Sequence, residues 1–128
     1  MKELTKAEEQ IMQVLWKLDK AFLKDIVEKL PEPRPAYTTV STVIRVLVKK
    51  QFIGFNTYGK VNEYYPAVSK EAYFKTHFSG MVKNFFNNSL KGFASFFAGD
   101  KEMDLKELEE IKSIVEQEIE KRKAAGDQ

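Results

Sequence analysis

Hydrophobic and polar positions recur along this chain at two different periods, and the change of period divides it. Ala7, Ile11, Val14, Leu15 and Leu18 lie three or four residues apart, which predicts a helix with one buried stripe and Trp16 to its side. Thr5 and Glu8 have capping-box spacing, so each can satisfy a free amide at the start of that helix. Asp19-Lys20 interrupts the pattern, and Leu23, Ile26, Val27 and Leu30 mark a second helix ended by Pro31. Pro31, Pro33 and Pro35 stiffen the connection, since proline lacks the amide hydrogen that a helix needs. Tyr37 is read as a packing residue, and a third helix follows over 38–50.

Beyond Lys50 the period shortens to about two. Phe52, Ile53 and Phe55 begin a strand, and Tyr64-Tyr65 lie in its partner, which ends at Pro66. Between them Tyr58-Gly59-Lys60-Val61 places glycine first in a two-residue turn, the preference of a type II′ hairpin. Three helices and a two-stranded hairpin predict a winged helix. Asn56, Thr57, Tyr58, Gly59, Lys60 and Asn62 would then form the wing.

From Ser69 the helical period returns. Phe74, Phe78, Val82, Phe85, Phe86, Ser89, Leu90, Phe93, Phe96 and Phe97 recur mostly at three and four. That stripe is too broad for an isolated exposed helix and must be buried against something. Gly80, Gly92 and Asn87-Asn88 predict breaks or close approaches. A last helix starts near Asp104. It carries Leu105, Leu108, Ile111, Val115 and Ile119 on one face, Glu and Lys elsewhere, and a tail expected to fray from Lys123. The fold class expected is mainly α, an α+β winged helix with two domains. Residues 1–70 would bind DNA, and residues 71–128 would form a helical dimerisation region centred on Phe78, Val82, Phe85, Phe86, Leu90, Phe93, Leu108, Ile111 and Val115.

The third helix carries the candidate chemistry. At about 100° per residue, Val40, Val43, Ile44 and Leu47 share an inner face, while Thr38, Thr42, Arg45 and Lys49 share the outer face beside Ser41. Short hydroxyl side chains allow a helix backbone to approach a surface, and hydroxyls and guanidinium can bond to base edges and phosphates. A half-buried helix meeting only water is the plainer alternative, and on propensity alone the stretch could also be a strand. Charge favours DNA. Net charge is only +2, but no acid occurs from Pro33 through Asn62, where Arg34, Arg45, Lys49, Lys50 and Lys60 sit. The candidate contacts are Thr38, Thr39, Ser41, Thr42 and Arg45 near the bases, with Lys49, Lys50 and Lys60 on phosphates. Residues 1–72 hold 12 basic and 9 acidic side chains, giving +3; residues 73–128 hold 9 and 10, giving −1.

The absence of cysteine removes disulfides, thiolate metal sites and cysteine nucleophiles, and a single His77 removes any multi-histidine site. No metal or other cofactor is expected. Neither a membrane-length apolar run nor a signal-peptide core appears, so a cytoplasmic protein without membrane insertion is expected. Lys75, Lys83 and Lys91 on the Phe-rich segment would allow a membrane-surface reading, but the amphipathic last helix is the simpler partner.

The ordered set Leu4-Thr5-x-x-Glu8, Leu15-Trp16, Tyr37-Thr38-Thr39-Val40-x-Thr42, Lys49-Lys50-x-Phe52-Ile53 and Tyr64-x-Pro66 resembles the BlaI/MecI/CopY family of bacterial repressors. The likeness covers nearly the whole chain, and Tyr-Thr-Thr-Val is its most specific part. It implies a homodimer on an inverted-repeat operator overlapping a promoter, with C-terminal helices exchanged or packed between protomers. It also implies release through a membrane-bound sensor peptidase system, by cleavage in the dimerisation region near Phe96-Phe97. Three departures matter. Ser41 stands where many relatives carry Lys or Arg, the Asn-Phe bond of the best-known repressors is missing, and a cysteine-based copper sensor is ruled out. Two other function classes compete: a winged-helix protein-interaction module, opposed by the acid-free interval, and an enzyme, opposed by the lack of any catalytic set.

Overall fold

The computed structural model describes residues 2–126. Its elements are α1 (Lys6–Leu18), β1 (Ala21–Phe22), α2 (Leu23–Lys29), α3 (Tyr37–Lys49), β2 (Ile53–Tyr58), β3 (Val61–Pro66), α4 (Lys70–Phe85), α5 (Leu90–Ala98) and α6 (Leu105–Ala124). The chain divides into two compact units between Gly80 and Met81, within α4.

The first unit is a winged helix. The capping box predicted at its start is present: Glu8 N donates to Thr5 Oγ1 at 3.2 Å, and Thr5 N donates to Glu8 Oε1 at 2.8 Å. Asp19, with φ +69°, ends α1. The core is built from Ile11, Met12 and Leu15 of α1, Ile26 of α2, Val40, Ile44 and Leu47 of α3, and Phe52 and Ile53. Two details depart from the simple stripe. Ala7 is exposed, whereas Met12 is fully buried, because α1 is packed by α2, α3 and β3 and therefore buries more than one side. Tyr37 is not a core residue: it is 49% exposed on the first turn of α3, where Val40 alone turns inward.

The sheet has three antiparallel strands in the order β1-β3-β2. Pairing of β2 and β3 runs from Ile53↔Pro66 to Tyr58↔Val61, leaving Gly59-Lys60 as the turn. Gly59 has φ +63° and Lys60 is not in the left-handed region, as a type II′ turn requires. The strand β1 was not expected; Ala21 pairs with Tyr64 and Phe22 with Glu63.

The start of α4 belongs to this unit, so the compact division falls ten residues later than the expected boundary at residue 70. The cause is local. Tyr73 Oη accepts from Leu4 N at 2.8 Å, and its ring lies 6.0 Å from Trp16 and 5.8 Å from Phe52. Trp16 Nε1 donates to Val68 O at 2.8 Å, fixing the linker as well.

In the second unit the helices break at Asn87 and Asn88, whose φ values of 52° and 62° are left-handed. Gly80 does not break α4. Gly92 marks a close approach instead: its amide donates to Ser89 Oγ at 2.9 Å, capping α5. Asp104 caps α6, which continues to Ala124, so fraying from Lys123 is not seen; Asp127 and Gln128 lie outside the described residues. No helix among the described residues is long and apolar enough to cross a membrane.

Candidate nucleic-acid interface

α3 is a 13-residue helix whose inner stripe is anchored in the core. Burial of that stripe forces the opposite side outward. Thr38, Thr39, Thr42, Arg45 and Lys49 are exposed, and Ser41 is half-buried at the edge. Thr42 Oγ1 donates to Thr38 O at 2.9 Å, leaving its lone pairs available as acceptors. At the N-terminus Ala36 supplies no side-chain cap, and the first turn has no acid. The positive end of the helix dipole therefore meets solvent without local compensation.

The wing stands beside this helix. Ser41, Ile44, Arg45 and Val48 from α3 face Phe55, Asn62 and Tyr64 from the hairpin across a cleft of about 300 Å³. At the tip Thr57 Oγ1 donates to Asn62 Oδ1 at 2.7 Å, tying the strands together just before the turn that presents exposed Lys60. Lys60 also borders a second cleft, of about 540 Å³, with Lys24 and Asp25 of α2. Lys24, outside the acid-free interval, thus lies near Lys60, on the side of the hairpin where β1 pairs with β3, though Asp25 lines the same cleft.

The cations fall into two groups. No acid pairs with Arg45, Lys49 or Lys60 among the described residues. Arg34 pairs with Glu32 at 3.4 Å. Lys50 differs from its expected place. Its Nζ donates to both oxygens of Glu8, at 3.0 and 2.8 Å, and its side chain is 27% exposed. The helix geometry carried the signal: Lys50 lies about 100° round from Lys49, toward Val43 and Leu47. Burial pushes the Glu8 carboxyl up, but the Lys50 hydrogen bond and charge and the bonds with Thr5 outweigh it, leaving the group below its ordinary value.

The second unit is a surface without a core. Val82 is buried and so is already covered within one chain; it is the one buried side chain among the described residues of this unit. Phe86 packs edge-on against Phe93 at 5.7 Å and lies 5.7 Å from Phe96, while Phe93 stacks on Phe97. Phe78 lies in the first unit, stacked on Phe74. Phe85 (76%), Leu90 and Phe96 are exposed, as are Leu105, Ile111, Val115 and Ile119 on α6; Leu108 is half-buried. Ile114 widens that apolar side beyond the predicted face.

The family profile described as penicillinase repressor matches residues 4–117. The chain is 21% identical over 122 residues to the penicillinase repressor of Bacillus licheniformis, covering 94% of this chain and 95% of the relative. It is 30% identical over 119 residues to the methicillin resistance regulatory protein MecI of Mammaliicoccus sciuri, covering 88% and 93%. Among solved structures, the DNA-binding domain of the repressor BlaI aligns over 57% of this chain and 94% of that domain, at 25% identity and a TM-score of 0.49. The chain therefore belongs to the penicillinase repressor family, whose BlaI/MecI/CopY-type members are DNA-binding repressors and not enzymes.

Proposed function

We propose that this chain works in the cytoplasm as a homodimer that represses transcription by occupying an inverted-repeat operator and excluding RNA polymerase. The observation that carries the proposal is the outer face of α3: exposed threonines, then unpaired Arg45 and Lys49, on a helix held firmly by its inner stripe. In the proposed complex α3 lies in the major groove. Thr38, Thr39, Ser41, Thr42 and Arg45 meet base edges, and Lys49 and Lys60 meet phosphates. Lys50 leaves this set because Glu8 holds its ammonium.

Dimerisation is supported by the apolar surface of the second unit. Its apolar side chains are exposed in a single chain, a state that one copy does not remedy. The Phe-rich segment from Ala72 to Gly99 has no acid and carries Lys75, Lys83 and Lys91, whereas α6 combines an apolar side with Glu107, Glu109, Glu110, Glu116, Glu118 and Glu120. α6 also carries Lys106, Lys112, Lys121, Arg122 and Lys123, so its net charge is close to zero, and the matching apolar surface rather than charge favours α6 of one protomer against α4 and α5 of the other. Two recognition helices roughly 34 Å apart would then read two half-sites. Relief by a sensor-linked protease cutting near Phe96-Phe97 fits the exposure of Phe96, though the bond lies in helical α5 and must unwind before cleavage.

The test is fluorescence anisotropy on duplex DNA from upstream of the protein's own gene, with scrambled competitor. Competitor-resistant binding, weakened by Arg45→Ala with the melting curve unchanged, is expected. Equal binding of both duplexes, or an Arg45→Ala protein that binds like wild type, would refute the proposal. Sedimentation at micromolar protein should give a dimer.

A further inference from the structure

Glu8 is the one charged side chain buried among the described residues, at 4% exposure. Its carboxylate joins two helix ends. Oε1 accepts from Thr5 N, the cap of α1, and both oxygens accept from Lys50, the residue that caps the C-terminus of α3. That end of α3 is also closed by its own backbone: Lys50 N donates to Val46 O, Gln51 N to Val48 O and Phe52 N to Leu47 O, with Gln51 at φ +69°. The opposite end has no side-chain cap, and Tyr37, Thr38 and Thr39 there are exposed. The helix is thus fixed from its C-terminal end.

The inner stripe alone fixes the helix less sharply. Burial of Val40, Ile44 and Leu47 fixes which face of α3 turns inward, but apolar contacts are non-directional and set the last few degrees of rotation less sharply than a directional bond. A two-oxygen, charge-assisted contact is directional. Burying both charges also costs desolvation energy that an apolar pair would avoid, and such pairs are retained in some proteins for conformational specificity.

We infer that Glu8 is a positioning residue: through Lys50 it sets the rotation of α3 and so determines where Ser41, Thr42 and Arg45 meet the bases. This rests on α3 being the recognition helix. Lys50 itself neutralises no phosphate; its charge is satisfied inside the protein.

The experiment compares wild type with Glu8→Gln, Lys50→Met, the double variant and Lys50→Arg. Melting temperature, the ratio of scrambled to operator Kd, and the salt slope on duplex from upstream of the gene are measured for each. Each charge-removing single variant should melt earlier, while the double variant, with no charge left buried, should recover. Its discrimination should nevertheless stay roughly tenfold below wild type, the scale of one misplaced base contact. Its salt slope should be unchanged, and Lys50→Arg should retain both stability and discrimination. If the double variant does not recover stability, Lys50→Gln gives the same comparison at a temperature where it is fully folded. Wild-type discrimination in a folded variant without the ion pair would overturn the inference. A slope shallower by about 1.8 per dimer on losing the Lys50 charge would overturn it too, by making Lys50 a phosphate contact. A wild-type protein without any discrimination would overturn the recognition-helix reading, and the inference with it.

Discussion

The salt dependence of operator binding can be worked out from the ion pairs. Arg45, Lys49 and Lys60 are exposed and unpaired, whereas Lys50 is held by Glu8 and Arg34 by Glu32. With Arg45 on a base, Lys49 and Lys60 of two protomers neutralise about four phosphates. At about 0.9 per phosphate, log K should fall against log salt with a slope near −4. Raising salt from about 50 to 200 mM would then weaken binding by roughly two orders of magnitude. With Lys50 added, the slope approaches −5. The assay is anisotropy on a labelled operator duplex at six or so chloride concentrations, with Lys49→Ala and Lys60→Ala alongside. Each substitution should make the slope shallower by about 1.8, because it removes two contacts per dimer. A slope shallower than about −2 would refute phosphate binding by this surface, and a slope that becomes shallower by about 1.8 in Lys50→Met would refute the withdrawal of Lys50.

Three further outcomes follow from local geometry. Because the folded Glu8 carboxyl is held below its ordinary value, its stabilisation is complete above the unfolded pKa of about 4.3 and is lost as pH falls through the folded value. The difference in urea stability between wild type and Glu8→Gln should therefore shrink below about pH 4.3, and an equal difference at neutral and acid pH would contradict the pairing. Gln51 holds a left-handed conformation with its amide bonded to Val48 O, so Gln51→Gly should stabilise the fold by about 0.5–1 kcal/mol in thermal denaturation; a loss would contradict it. A Cβ on Gly54 would run into the ring of its cross-strand neighbour Tyr65, so Gly54→Ala should cost about 1–3 kcal/mol. Tyr65→Ala should suppress that cost, and strictly additive losses would show that the ring is not the obstacle.

Much of the fold was legible because it is periodic. Three helices and a hairpin appear in the spacing of Ile11, Leu15, Ile26, Val40, Ile44, Phe52 and Ile53, and the type II′ turn follows from one glycine. What escaped depends on partners distant in sequence. The two residues of β1 have no period of their own, and their partners, Tyr64 and Glu63, lie some 40 positions further along. Met12 is buried because several elements surround α1, a fact no single stripe encodes. In the interface, Lys50 shows how charge counting along a chain misleads. It neighbours Lys49 in sequence, yet its rotational position turns it inward to Glu8, 42 residues away. Tyr37 errs the other way: an aromatic ring suggests packing, but it lies on the outward side of a first turn whose inward residue, Val40, is the one buried.

The two residues of β1 also give the hairpin a mechanical character. They brace β3 only at Glu63 and Tyr64, so the hairpin root has strands on both sides, while the last pairs, Thr57↔Asn62 and Tyr58↔Val61, have only each other. The hairpin is a cantilever: clamped at its base, free at its tip, and bending most easily just past the clamp. That pairing places the least braced part of the hairpin at Lys60, so in the proposed complex the charge would follow a backbone of varying groove width while α3 stays still. A fluorophore on a cysteine placed at exposed Val61, beside that charge and leaving it intact, would then register groove shape, making the tip a built-in probe of DNA deformation.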